Sequence, residues 1–360
     1  MIDLEPSEEQ QLIVDTVRQF AENEVRPKAR ECDEAHALDA AVLAGAHELG
    51  LVANALPESV GGGGERSAVT GALVAEELAW GDLSLALGVL SPSLVALPVA
   101  DFGSEALQER VLPVYAGDAF VPGSLAAVEP GFRADVYAPK TTAKASSDGF
   151  VLDGHKCLVP WQEGGRHVVV TASADDGPAL FLVERDAAGL TATPERNMGI
   201  QALPTVELAL SGVKVAADAR LGDAAALRDV VARGRVALAA AAVGVARAAF
   251  EVSRDYAKER EAFGAPIATK QAIAFKLADM AIEIDGARLL AWEAAWRLDQ
   301  GLPAEREVVL AHRQAQRVAL DVADGAVQVF GGHGYIRDYL PEMHLRNARG
   351  FSCFEALSLV

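Results

Sequence analysis

The chain has few of the residues on which several protein classes depend. Three cysteines, Cys32, Cys157 and Cys353, are scattered through 360 residues, too few for a disulfide framework or a tetrahedral metal site. So few cysteines suit a reducing compartment, and we expect the protein to be cytoplasmic. The seven histidines have no metal-ligand spacing, and no Gly-x-Ser-x-Gly motif indicates a serine hydrolase. We therefore expect no metal.

Positive charge is also scarce, with 32 lysines and arginines against 51 acidic residues and a net charge of −19. Because a nucleic-acid partner needs a basic face, we expect none. The stretch from Met1 to Pro6 has neither a basic region nor an apolar run before a cleavage site, so no export signal is expected. The apolar run from Val236 to Val245 has about half the length that spans a bilayer, which predicts a buried helix rather than a membrane span.

The length and apolar content predict a globular protein of two or three structural units. Residues 1–117 have the apolar spacing of helices, and Ser7 with Gln10 predicts a capping box at the first of them. Further helices are expected from Ser67 to Trp80 and from Ser104 to Tyr115.

Residues 118–222 change to short β-branched runs, which predict a small antiparallel β-domain with a turn at Asp153-Gly154. Residues 223–360 return to long helical periodicities with short connections, which predict an up-and-down four-helix bundle. The helices are expected over 225–256, 269–301 and 303–330. The expected fold is α+β and multidomain: a helical domain, an antiparallel β-domain and a helical bundle.

Three short stretches carry the strongest chemical signal. The first, Tyr256 to Gly264, contains an Arg-x-x-Phe-Gly turn, and the second, Gln328 to Tyr335, is rich in glycine. The third, Phe351 to Ala356, contains a lone carboxylate, Glu355. Glycines let a backbone approach a pyrophosphate closely, and an arginine balances its charge. With the order of the domains, these stretches resemble the acyl-CoA dehydrogenase flavoprotein family.

The resemblance implies an FAD cofactor and an oligomer. It assigns Arg260, Phe263 and Gln271 to one end of FAD. It also assigns four contacts to a neighbouring subunit: Gln328, Gly331, Gly332 and Gly334. A monomer would then lack part of the site. Taken alone, the glycines from Gly331 to Gly334 are equally typical of a helix stop, and this alternative stays open.

The resemblance assigns catalysis to Glu355, as the base that takes a proton from the carbon next to a thioester carbonyl. Its neighbours Cys353 and Phe354 predict desolvated surroundings, which strengthen a carboxylate base. The resemblance also places Phe354 and Arg235 near the substrate. The alternatives are an exposed glutamate without a role and, for Arg235, an ordinary surface charge at a helix start.

Three positions of the β-domain depart from the family pattern at its flavin contacts. Val128 stands where the family has a threonine, and Leu158 and Pro160 replace a tryptophan and a threonine that contact the flavin ring. Leucine does not stack as an indole does, and proline offers neither a hydroxyl nor an amide hydrogen. Trp161 is a candidate replacement for the missing ring, although packing on the core is the more usual role.

In the same loop, Arg133 stands where the family has a glycine. It predicts either a contact with a substrate phosphate or carboxylate, or an exposed loop charge, and the sequence favours neither.

The implied function is that of an FAD-dependent acyl-CoA dehydrogenase, which forms an α,β double bond in an acyl thioester of coenzyme A or another carrier. An electron-transferring flavoprotein would reoxidise the flavin, and the chain would form a dimer or homotetramer in fatty acid or lipid metabolism. Two alternatives stay open. One is a catalytically silent subunit paired with a paralogous chain, and the other is a flavin-dependent decarboxylase or desulfinase, which Arg133 or Arg235 would favour by binding an extra substrate anion.

Overall fold

The computed structural model describes residues 5–360, and its first part is helical. The predicted capping box is confirmed, because Ser7 Oγ accepts a hydrogen bond from the Gln10 amide and the Gln10 side chain accepts one from the Ser7 amide. The expectation of no export signal concerns the stretch from Met1 to Pro6, of which the first four residues lie outside the described range. The α-helices of this part are α1 Glu8–Phe20, α2 Ala29–Ala35, α3 Ala40–Glu48, α4 Ala68–Gly81, α5 Leu83–Leu90, α6 Ser93–Phe102 and α7 Glu105–Ala116.

Helices α5 and α6 were not predicted from the sequence. They are apolar on every side and almost entirely buried. Their sequences therefore lack the alternation of polar and apolar residues that predicts a helix. Asp82 separates α4 from α5 by accepting a hydrogen bond from the Leu85 amide at 2.9 Å. Burial raises the pKa of Asp82 to about 6.

The second part is a seven-stranded sheet in the order β1-β4-β2-β3-β7-β6, with β5 paired to β4. Most neighbours are antiparallel, as predicted, but β4 lies parallel to β1 and to β2. Its strands are β1 Ser124–Ala126, β2 Thr142–Ser146, β3 Gly149–Pro160, β4 His167–Ala174, β5 Gly177–Glu184, β6 Leu190–Pro194 and β7 Thr205–Ala216.

Strand β3 is longer than the sequence indicated. The prediction of a turn at Asp153-Gly154 is wrong, because β3 passes through both residues with a register shift against β7. Gly154 is needed there for space: a Cβ would lie 2.4 Å from Thr141 Oγ1. A second register shift lies between Lys156 and Val159 and leaves Leu158 in a left-handed conformation, with φ of 55°.

The third part is a bundle of long helices: α8 Ala224–Glu259, α9 Gln271–Asp299, α10 Glu305–Phe330 and the shorter α11 Pro341–Gly350. A small hairpin of β8 Glu261–Ala262 and β9 Ala265–Pro266 lies between α8 and α9. The predicted buried helix is confirmed, since the run from Val236 to Val245 is buried within α8. The predicted fold class is therefore correct; the exact domain boundaries at 117 and 222 stay a prediction.

Helix α8 is the centre of the protein and packs on α4, α9 and α10. Its contact with α4 is close enough that a Cβ on Gly244 would lie 2.3 Å from the Glu76 carbonyl oxygen. By length and composition, the stretches Leu83–Phe102 and Ala224–Glu259 are apolar enough to cross a membrane, but 94% and 78% of their most apolar windows are buried inside the protein. Burial of this kind is typical of core helices.

Ion pairs to two buried carboxylates connect four helices of this core. Arg247 on α8 binds Glu77 on α4 at 2.6 Å, and Arg18 on α1 binds the same carboxylate at 2.8 Å. Arg288 on α9 binds Glu76 at 3.0 Å. Burial raises the pKa of Glu76, whereas at Glu77 the hydrogen bonds of Arg247 and Arg18 outweigh burial and lower the pKa. Each buried carboxylate has two arginine partners, since Arg247 also binds Glu76 at 3.2 Å.

The buried His344 on α11 makes stability depend on pH. Burial lowers its pKa to about 3, below that of an unfolded histidine, so the unfolded chain binds a proton that the folded chain rejects. Unfolding free energy is therefore lost as the pH falls from about 6.5 towards 3, by up to about 1.4 kcal/mol per pH unit for one histidine. We expect His344→Met to reduce this loss, measured by urea unfolding at a series of pH values.

The exposed His155 on β3 provides the control. His155→Gln should keep the pH dependence of the wild type. Equal slopes for the wild type and His344→Met would show that His344 is not excluded from water.

Candidate active site

Glu355 projects from a turn that follows α11. The ring of Phe354 packs so closely on the backbone of Gly350 that a Cβ there would lie 2.5 Å from the ring. Phe354 is buried, and Ala356 has φ of 50°, so the chain reverses sharply around Glu355. The Glu355 side chain is 23% exposed. It is therefore accessible, while its neighbours on both sides are fixed in the core.

Arg235 on α8 binds both oxygens of Glu355. Its Nη2 donates to Oε1 at 2.7 Å and its Nε donates to Oε2 at 3.0 Å, the paired geometry of a strong charge-assisted contact. A guanidinium therefore faces Glu355, in addition to the buried ring of Phe354 beside it. Burial opposes the charge on Arg235, but the Glu355 carboxylate outweighs it and raises the pKa of Arg235.

A buried histidine that the sequence analysis missed lies near Glu355. Burial lowers the pKa of His312 on α10 to about 4, with the nearby Glu355 opposing this effect. Gln316, one turn later, lies with its Nε2 2.9 Å from His312 Nε2 and donates to the Phe351 carbonyl at 2.6 Å. This bond attaches the segment before Glu355 to α10. A signal was present in the sequence: His312 follows Val308 by four residues, so both lie on the same, buried face of α10.

The loop after β1 brings the β-unit to this carboxylate. Val128 stands at its start and is half-buried, and the Val128 carbonyl accepts a hydrogen bond from the Cys157 amide at 3.0 Å. Arg133 is exposed at the tip and makes no ion pair within residues 5–360. Tyr137, also in the loop, accepts a hydrogen bond from Arg235 Nη1 at 3.1 Å. The loop therefore contacts the bundle through Tyr137, a residue that the sequence did not single out.

The other predicted flavin contacts of the β-unit have their polar groups occupied. The Leu158 amide donates to the Glu195 carboxylate at 3.0 Å, and the Pro160 carbonyl accepts from Ser124 Oγ at 2.6 Å. Trp161 lies under the guanidinium of Arg185, 3.6 Å from its ring centroid, and packs against the core of the sheet. Leu158 therefore offers apolar surface, Pro160 offers no free polar group, and Trp161 has the packing role.

A second group of predicted residues lies at the far end of α8. Arg260 caps this helix and lines a cavity of about 300 Å³ together with Gly331 and Gly332. Gly331 has φ of 59°, and a Cβ on Gly332 would meet no atom within 4 Å. Gln328, in the last turn of α10, is exposed. One chain therefore combines an arginine with an open glycine backbone, whereas the sequence analysis had divided them between two subunits.

Gly334 differs from the two glycines before it. A Cβ there would lie 2.6 Å from the Val327 carbonyl oxygen, so Gly334 serves the packing of the turn after α10. Helix α10 does end at Phe330, and a 3₁₀ turn follows. The helix stop and the open backbone thus occur together.

Phe263 stands at the tip of the β8–β9 hairpin and is 98% exposed. Phe263 and Gly264 both have positive φ, of 56° and 77°, as a two-residue hairpin of this type requires. Gln271 is exposed at the start of α9. An exposed phenyl ring held on a strained backbone indicates contact with a ligand or another chain.

The two groups of residues are far apart within one chain. Arg235 and Arg260 are separated by about 37 Å along α8 at the rise of an α-helix. This distance exceeds the length of an extended dinucleotide. Within residues 5–360, no cluster of three or more histidine, cysteine or acidic residues is arranged to hold a metal ion.

The helical part, the sheet and the helical bundle each match one domain of a known protein family. Sequence profiles match residues 7–118 as the acyl-CoA dehydrogenase N-terminal domain, 124–213 as its middle domain and 224–355 as its C-terminal domain. The chain belongs to the acyl-CoA dehydrogenase family.

Its relatives include a probable acyl-CoA dehydrogenase, YngJ, of Bacillus subtilis, which is 36% identical over 97% of this chain and 94% of its own length. The bovine mitochondrial short-chain specific acyl-CoA dehydrogenase is 35% identical, with coverage of 99% and 88%. The solved structure of butyryl-CoA dehydrogenase from Megasphaera elsdenii has a TM-score of 0.90 at 31% identity, with coverage of 98% and 96%. The similarity therefore extends over nearly the whole chain.

The ion pair between Arg235 and Glu355 should contribute to stability. Arg235→Met leaves a largely buried carboxylate without its partner, and we expect it to lower the unfolding free energy by about 1–3 kcal/mol. In the Glu355→Gln background, the same change should cost less, because no buried charge remains unpaired. Urea unfolding of the four proteins measures the coupling. Additive losses would show that the two side chains do not interact in solution.

Proposed function

We propose that this chain is an FAD-dependent acyl-CoA dehydrogenase that introduces an α,β double bond into an acyl thioester. The observation that carries the proposal is the Glu355 carboxylate, fixed by Arg235 and yet partly exposed between the bundle and a loop of the β-unit. The similarity to short-chain and butyryl-CoA dehydrogenases supports it.

In this proposal Glu355 removes the proton from the α-carbon. Each carboxylate oxygen uses one lone pair for Arg235 and retains another, so Glu355 can accept a proton while it stays held. The turn around Phe354 and the bond from Gln316 to the Phe351 carbonyl fix the direction of the carboxylate. FAD, when bound, supplies the acceptor for the hydride that leaves the β-carbon.

The residues at the far end of α8 fit a dinucleotide. Arg260 supplies positive charge for a pyrophosphate, and Gly331 and Gly332 leave room for close approach of the backbone. Phe263 supplies an exposed ring. In the β-unit, Val128 and Leu158 supply apolar surface beside the proposed flavin ring.

The separation along α8 supports an oligomer as the working form. FAD that contacts the β-unit of one copy would contact Arg260 and the open glycines of another, because Arg260 lies about 37 Å along α8 from Arg235, which the loop of the β-unit contacts. We propose a dimer or homotetramer. We also propose a cytoplasmic protein of fatty acid or lipid metabolism whose flavin is reoxidised by an electron-transferring flavoprotein.

Two other functions remain candidates because specific observations favour them. The occupied polar groups of Leu158 and Pro160 favour a silent subunit that binds FAD only with a paralogous chain. Arg133, which is exposed and makes no ion pair in the part of the chain that the structure describes, favours a substrate with an additional anion, as in a decarboxylase or desulfinase.

The first test is the visible spectrum of the chain purified by itself. We expect close to one flavin per subunit, and we expect Glu355→Gln to keep the flavin while flavin reduction by acyl-CoA thioesters falls by about 10²–10⁴-fold. A colourless protein that stays empty after FAD is added would favour the silent subunit. Reduction at the wild-type rate by Glu355→Gln would remove the proposed base.

Substitutions at two neighbouring glycines test cofactor binding and folding separately. Gly332→Ala should leave the unfolding free energy within about 0.5 kcal/mol, because the added Cβ meets no atom of the chain. It should weaken FAD binding about tenfold or more, since the ligand occupies that space. Gly334→Ala should instead lower the unfolding free energy by about 1–3 kcal/mol through its clash with Val327.

Urea unfolding and titration with FAD, followed by flavin fluorescence, measure both quantities. Unchanged FAD affinity in Gly332→Ala would show that the cofactor does not approach this backbone.

A further inference from the structure

The guanidinium of Arg235 is held on two sides. Nε and Nη2 bind Glu355, and the remaining nitrogen, Nη1, donates to the Tyr137 hydroxyl at 3.1 Å. The guanidinium carbon lies 5.3 Å from the centroid of the Tyr137 ring, within reach of a cation–π interaction. All three nitrogens of Arg235 are therefore engaged, two by the carboxylate and one by the loop of the β-unit.

The root of that loop is rigid. The Glu129 carboxylate accepts from the amides of Lys140 and Thr141, both at 2.8 Å, and from Lys156 Nζ at 2.8 Å. Lys156 is completely buried and also donates to Thr171 Oγ1. Burial opposes ionisation of Glu129, but the bond from Lys156 outweighs it and lowers the pKa of Glu129 to about 2. Residues 130–139 are thus clamped at both ends by one carboxylate.

The tip of the loop is shaped by its own backbone. The Asp135 side chain accepts from the Tyr137 amide at 2.9 Å, and its carbonyl accepts from the Ala138 amide at 3.1 Å. This turn aims the Tyr137 ring at α8. Burial raises the pKa of Tyr137, so the side chain stays a neutral phenol that accepts from a guanidinium.

We propose that Tyr137 is a positioning residue for proton abstraction by Glu355, acting through Arg235 and coupling the loop of residues 130–139 to the base. The proposal rests on the proposed function. An arginine bound only to Glu355 is free to rotate with it, whereas an arginine also bound to Tyr137 has one orientation. The carboxylate is then directed by the β-unit, on which the apolar side chains of Val128 and Leu158 also lie.

Tyr137→Phe removes the hydroxyl and keeps the ring. We expect it to slow flavin reduction by a thioester about tenfold without lowering the flavin content. In the Arg235→Lys background, where a lysine cannot serve both partners, the same change should cost less than twofold, because the route from Tyr137 to Glu355 is already broken. A residue with only a structural role would give equal factors in both backgrounds.

A second readout does not depend on the reaction. Arg133 is an exposed trypsin site in the same loop, four residues before Tyr137. If the hydroxyl tethers the loop, cleavage after Arg133 should be faster in Tyr137→Phe and in Arg235→Lys, and no faster in the double variant than in either alone. Thr191→Val, which removes an exposed hydroxyl on β6, is the control and should match the wild type in both measurements.

The outcomes for the role of Tyr137 differ from those for the proposed function. Wild-type rates of flavin reduction and of cleavage in Tyr137→Phe would overturn the proposal, and so would equal losses of rate in both Arg235 backgrounds. If the wild type carries flavin that no thioester reduces, the proposed function fails and the positioning role falls with it. The proteolysis then still decides whether Tyr137 and Arg235 form the tether.

Discussion

The packing of α8 against α4 is the constraint on which the rest of the structure depends. At Gly244 the two backbones approach so closely that no side chain fits, and Glu76 and Glu77 of α4 enter the bundle to bind Arg247 and Arg288. Since α8 also contacts α9 and α10, this one crossing fixes the helical unit on the bundle. The position of Arg235, and with it that of Glu355, follows from where α8 lies.

The sequence predicted those parts of the fold that follow from local pattern. The capping box at Ser7 and the buried run from Val236 to Val245 depend on neighbours in the chain, and both are confirmed. The prediction of a turn at Asp153-Gly154 was wrong because the sequence alone does not distinguish a glycine within a long strand from a glycine in a turn. Only the nearby Thr141, thirteen residues before Gly154, reveals that the position needs space rather than a bend.

The contacts of the candidate site also join residues that are distant in the sequence. Glu355 and Arg235 were found through motifs, but their contact joins positions 120 residues apart, and no local pattern encodes it. Tyr137 lies in an irregular loop 98 residues from Arg235, and its role depends on the clamp at Glu129. The type of chemistry was thus accessible from the sequence, whereas the orientation of the base was not.

The separation of Arg235 from Arg260 along α8 has a consequence for how the protein behaves on dilution. If FAD is shared between copies, as proposed, each bound molecule of FAD is also a link between two chains. Flavin occupancy and assembly are then one equilibrium, so a fall in protein concentration releases cofactor even when free FAD is unchanged. The exposed ring of Phe263, which one chain leaves in water, would be covered in the same step. The cell would thus control the loaded fraction through the amount of chain it makes as well as through its supply of flavin.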